Sequence, residues 1–136
     1  MKFLFDNNLP PSLARGVAEL SKVDPDITEV VALRDKFPAN TPDEVWMGQL
    51  HAEGGWIVIS SDQFKKSKAE RELLRQRGLT VFVLDPQWAD HLYWDKAARL
   101  VLWWPKLVSV AKLTSKTAMR VPWRFTSKST FEQIRA

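Results

Sequence analysis

Met1-Lys2-Phe3-Leu4-Phe5-Asp6-Asn7-Asn8-Leu9-Pro10 opens the chain, and the fold turns on how this stretch is read. An unbroken Phe-Leu-Phe run, with no polar alternation, suits a strand buried on both faces in the middle of a parallel sheet. Such a strand gives way to a carboxylate where the chain leaves the sheet at its carboxyl edge. In open α/β sheets, ligands bind at that edge. The residues alone leave a second reading open, in which Asp6, Asn7 and Asn8 make a turn and cap the next helix.

Outward from this stretch the same pattern repeats. Pro10 and Pro11 suit the first turn of a helix, where a missing N–H costs nothing. Leu9, Leu13, Val17 and Leu20 then form one apolar stripe over about residues 10–21. Asp24-Pro25-Asp26 is a turn, Ile27 to Leu33 a β-branched strand with Glu29 facing solvent, and residues 34–40 a loop. Thr41 is placed to cap the next helix, with Pro42 at its first position and Glu44 completing a capping box. That helix runs to about Glu53 and stops at Gly54-Gly55.

Trp56-Ile57-Val58-Ile59 is another fully apolar strand, and it ends in Ser60-Ser61-Asp62. Ser67 and Glu70 box the start of a basic helix that ends at Gly78. Leu79 to Leu84 is a further strand, ending in Asp85-Pro86. A helical pattern follows from Gln87 to about Trp104; Pro105 breaks or restarts it, and residues 107–113 form one more short helix. Residues 114–136 read as an extended tail packing only locally, through Val121, Trp123 and Phe125.

The βαβαβαβα order predicts a three-layer α/β/α sandwich with a mainly parallel central sheet and extra C-terminal helices. The expected division is a domain over 1–113 and a basic C-terminal tail over 114–136, removable without loss of the fold.

Composition narrows the chemistry. With 136 residues, 45% hydrophobic and 26% charged, the chain is expected to form one soluble, cytoplasmic domain without a signal peptide or membrane span. It has no cysteine, so thiolate metal sites, disulfides and cysteine nucleophiles are excluded. Its two histidines are too few for a zinc site of the His-rich kind. Any metal is expected to sit among oxygen ligands, as Mg²⁺ or Mn²⁺ does. Charge is uneven: seven of the basic side chains lie after Pro105 against Glu132 alone, whereas residues 1–105 are slightly acidic. A basic C-terminal stretch on such a body points to a phosphate-rich partner or simply aids solubility.

Carboxylates crowded at one sheet edge repel one another unless a cation neutralises them. A hard divalent cation held there activates water for phosphodiester hydrolysis. Asp6, Asp62 and one or both of Asp43 and Glu44 are the candidate catalytic and metal-binding residues. Turn and cap roles compete for each of them. Lys65, Lys66, Lys68 and Arg71 begin just after Asp62 and are candidates to hold an RNA backbone, with a solvated helix face as the alternative. Of the seven tryptophans, Trp46, Trp56, Trp88 and Trp103 fall on apolar faces. Trp94, Trp104 and Trp123 are candidates for the surface, for base stacking or a protein partner, and a partner or dimer surface is the reading preferred, because Trp103 and Trp104 are adjacent and not expected to share one core.

Taken together, Lys2 to Pro10, Thr41-Pro42-Asp43-Glu44 and Ile57 to Asp62 resemble the PIN-like superfamily of metal-dependent ribonucleases. Over about residues 1–85 they are similar to its short members, many of them toxins of type II toxin–antitoxin pairs. The resemblance implies a parallel sheet of order 3-2-1-4-5 and a cluster of acids binding Mg²⁺ or Mn²⁺. It makes Asp6 the first-strand acid, Asp43 or Glu44 the helix acid, and Asp62 the acid ending the fourth strand. It implies an endoribonuclease acting on single-stranded RNA, restrained by an antitoxin protein. Where many members carry further acids, this chain has Asn7, Gln63 and Phe64. That departure keeps a second reading open: a catalytically depleted RNA- or protein-binding module. A phosphatase using Asp6 as nucleophile is disfavoured, because the residue two positions on is Asn8 and not a second Asp.

Overall fold

The computed structural model describes residues 1–61, 78–126, 128 and 130–134. Its sheet has six strands in the order β2-β1-β3-β4-β5-β6. These are β1 (Lys2–Phe5), β2 (Glu29–Ala32), β3 (Trp56–Ser61), β4 (Thr80–Leu84), β5 (Ala118–Val121) and β6 (Glu132–Ile134). The first five pair in parallel, and β6 runs antiparallel to β5. The helices are α1 (Pro11–Ser21), α2 (Leu33–Lys36), α3 (Asp43–Glu53) and α4 (Tyr93–Leu113), with a 3₁₀ turn at Pro86–Asp90. The layered α/β fold expected from the sequence is therefore present. The order 2-1-3-4 matches the expected 3-2-1-4-5 with its outermost strand left out.

Alternation along β1 sets the two hydrophobic layers, because successive strand side chains point to opposite faces. Phe3 and Phe5 join Ile57, Ile59, Phe82 and Leu84 under α1 and α4. Leu4 joins Val58 and Val81 under α2 and α3, against Leu33, Phe37, Trp46, Met47 and Leu50. A strand covered on both sides has no polar position to spare, hence the unbroken apolar run.

Helices α1 and α4 lie side by side and run in the same direction. Ser12 and Tyr93 share a 2.6 Å hydrogen bond at one end, and Trp104 Nε1 donates to Ser21 Oγ (2.9 Å) at the other. This contact rotates the buried stripe of α1 from the expected one. Ser21 is inside with Leu13, Ala14 and Val17, while Leu20 is exposed.

Several expectations need correction. Residues 34–40 are not all loop, since Leu33–Lys36 form the short helix α2 directly after β2. Pro105 neither breaks nor restarts the C-terminal helix, which runs unbroken through it; only the short 3₁₀ turn precedes it. Pro105 faces out, where one lost backbone hydrogen bond is tolerable. Trp103 and Trp104 do share one core. Adjacent helix residues lie 100° apart, and α4 is embraced from both sides. Trp104 meets Phe3 and Phe5 beside α1, while Trp103 meets Phe125 and Phe131. Residues 114–136 do not form a tail packing only locally. Strand β5 extends the sheet beside β4, and Val121 is fully buried. Finally, Thr41 does not cap α3: its hydroxyl donates to the carbonyl of Pro38, and the helix starts behind Pro42 with no side-chain cap. Among the described residues, no helix is long and apolar enough to cross a membrane.

Candidate functional site

The parallel register aligns the carboxyl ends of β1 and β3. Phe5 lies opposite Ile59, and the Asp6 N–H still donates to the Ile59 carbonyl (2.9 Å). Asp6 is thus the first side chain beyond β1 and lies level with Ser60. Half-buried, it receives the Ser60 hydroxyl on Oδ2 (3.2 Å) and the Asn7 N–H on Oδ1 (2.6 Å). The carbonyl of Asp6 closes a turn by accepting from the Leu9 N–H (3.1 Å).

Asn8 holds this turn to the neighbouring strand. Its Oδ1 accepts from the Ser61 N–H (3.1 Å), and its Nδ2 donates to the Ser61 carbonyl (2.8 Å) and the Ser60 hydroxyl (3.2 Å). The side-chain amide stands in for one more rung of the β1–β3 ladder. A carboxylate has no proton to give the carbonyl. Asn at position 8 is explained by that requirement, which had no signal in the sequence beyond two consecutive amides.

Helix α3 carries its acids to the same edge. It packs on the sheet through Trp46, Met47 and Leu50 and turns into β3 at Gly54-Gly55, both at positive φ. Its last residue, Glu53, accepts from the indole of Trp56 at the amino end of β3 (2.8 Å). Eleven helical residues span roughly 16 Å, so Asp43 and Glu44 lie at the opposite, carboxyl end. Both are exposed, and Asp43 Oδ1 accepts from Trp46 Nε1 (3.0 Å). Asp85, at the end of β4, has a structural role: it caps the 3₁₀ turn by accepting from the Gln87 N–H.

Arg15 and Asp35 add a strap that the sequence did not signal. Their two-pronged contact (3.0 and 2.8 Å) ties α1 to α2 beyond the end of β2. The hydrogen bond to Arg15 holds the Asp35 carboxyl below its usual range, and Asp35 raises the guanidinium in turn.

Asp6, Asp43 and Glu44 therefore share one edge of the sheet. Asp62 follows Ser61 directly in the chain but lies outside the described residues, as do Lys65, Lys66, Lys68 and Arg71 and the basic helix expected to carry them. Among the described residues, no three acids or histidines come together as a group able to hold a metal ion. Among the described residues, the edge offers oxygen donors in the carboxylates of Asp6, Asp43 and Glu44 and the hydroxyl of Ser60. Oxygen donors of this kind are the chemistry that hard cations such as Mg²⁺ or Mn²⁺ accept.

A family model described as a PIN-like domain matches residues 1–86. That span holds β1 to β4 and all four candidate acids. No curated protein and no solved structure matches the chain.

Proposed function

Because the chain belongs to the PIN-like domain family over residues 1–86, we propose that it is a metal-dependent endoribonuclease cleaving single-stranded RNA. The observation that carries the proposal is the side-by-side carboxyl ends of β1 and β3, with Asp6 leaving one and Asp62 following the other in sequence. The acids of α3 lie at the same edge.

In this proposal Asp6, Asp62 and one or both of Asp43 and Glu44 hold Mg²⁺ or Mn²⁺. When bound, such a cation supplies Lewis-acid stabilisation of the charge that develops on a phosphodiester. The chain's own part is to fix the ligands beforehand. The Ser60 hydroxyl and the Asn7 N–H orient the Asp6 carboxylate, and Asn8 locks the loop to β3. Lys65, Lys66, Lys68 and Arg71 are proposed to hold the RNA backbone. The proposal extends to a toxin–antitoxin pair, with an antitoxin protein as restraining partner, and to a homodimer as the form of the toxin.

The test is cleavage of a labelled single-stranded RNA in Mg²⁺ or Mn²⁺ against EDTA. Asp6→Asn and Asp62→Asn are each expected to lower the rate at least 100-fold while the far-ultraviolet spectrum is unchanged. Wild-type protein that leaves RNA intact in both ions would reject the assignment. The second reading, a catalytically depleted RNA- or protein-binding module, is favoured by Asn7, Gln63 and Phe64 at positions where the resemblance to the PIN-like superfamily implies acids. It expects RNA binding without cleavage.

A further inference from the structure

The start of α4 carries an apolar group that the core does not use. Trp94 is 80% exposed and Leu92 77% exposed, although most other tryptophans of the chain are buried. Tyr93 stands against Trp94 edge to face, with ring centroids 5.3 Å apart. The Tyr93 hydroxyl is hydrogen-bonded to Ser12, in the first turn of α1 and six residues past Asp6. This bond sets the aromatic pair at the same carboxyl edge as the candidate acids. Strand β4 delivers it there, because α4 begins just after the 3₁₀ turn that leaves that edge.

We infer that Trp94, buttressed by Tyr93, is a stacking platform for a base of single-stranded nucleic acid; the choice of ligand rests on the ribonuclease assignment. The small area favours a base over a protein. One large aromatic ring offers roughly 150–250 Å², well short of the about 800 Å² that each partner buries in a stable protein interface. The flanking residues Asp90 and Asp95 are exposed and acidic, so the phosphates of a bound strand have to run away from this patch and leave only a base against Trp94. The platform is therefore expected to contribute affinity without phosphate contacts.

That distinction makes the test. Binding of a fluorescein-labelled single-stranded oligonucleotide and of its duplex is measured by anisotropy, in EDTA and over a range of salt, with the full chain. Trp94→Ala is expected to weaken single-strand binding roughly 5- to 100-fold, the loss of one stacked base, with the salt slope unchanged because no phosphate contact is lost. Trp94→Phe should retain most of the affinity, and duplex binding should not change. Equal binding by wild type and Trp94→Ala would overturn the platform, as would a matching loss on duplex. So would a change in sedimentation showing that the patch joins two copies of the chain. Cleavage of RNA with Trp94-independent binding would sink the platform alone; Trp94-dependent binding without cleavage in Mg²⁺ or Mn²⁺ would sink the ribonuclease assignment alone.

Discussion

Asn8 carries out at one position what a strand does with two backbone groups: it both donates to and accepts from Ser61. Replacing it by Asp removes the donor, leaves the carbonyl of the buried Ser61 short of its partner, and sets a second carboxylate close to Asp6. Asn8→Asp is expected to cost about 1–3 kcal/mol, read as a lower urea midpoint at neutral pH. Asn8→Ala should cost a similar amount without the added charge. If Asn8→Asp is as stable as wild type, the amide is not holding the loop. For the acid site, the consequence is that Asn8 serves the loop and adds no carboxylate to the edge.

Among the elements, α3 is fastened at its C-terminal end by Glu53, far from the candidate site. Hydrogen bonds from Gln49 and Trp56, and the neighbouring Lys36 ammonium, hold the Glu53 carboxyl down to about 2 from an ordinary value of 4.5. A depressed carboxyl stabilises the fold above the unfolded value and loses that contribution as pH falls from 4.5 toward 2. Glu53→Gln should thus be less stable than wild type by about 1 kcal/mol at pH 7, a figure kept small because the side chain meets solvent. The gap should close between pH 4.5 and 2, as followed by thermal melts across pH. A gap that stays constant through acid would mean that the charge is not the source. Because α3 carries Asp43 and Glu44 at its other end, this anchor also sets how firmly those acids are presented.

On the scale of the whole molecule, the C-terminal segment is part of the sheet. Val121 is fully buried, Trp88 meets Trp123, and Phe125 and Phe131 cover Trp103. A chain ending at Leu113 would uncover β4 and one face of α4. It is expected to lose several kcal/mol, as a group of large core truncations would, and to melt without a cooperative transition or to aggregate. A folded truncated protein that still binds RNA would show the segment to be dispensable. The basic side chains of this segment should therefore be tested by point substitution, with the salt slope falling by about 0.7 for each single-strand phosphate contact removed.

The sequence by itself determined what short-range order can express. Phe3-Leu4-Phe5 and Trp56 to Ile59 announced doubly covered parallel strands, because burial on both faces leaves no polar alternation. Gly54-Gly55 announced the end of α3, because only glycine takes positive φ there freely. The placement of Asp6 at a carboxyl edge followed from these strands; that of Asp43 and Glu44 waited on the way α3 packs against the sheet on its way into β3. Only the tertiary structure decided the rest. Ser21 took the inward position in place of Leu20 because Trp104, 83 residues away, donates its indole N–H to the Ser21 hydroxyl. Trp103 and Trp104 shared a core because α4 is gripped from two sides, and β5 became a strand because β4 offered an open edge. In each of these cases the deciding partner is distant along the chain, and local periodicity carries no trace of it.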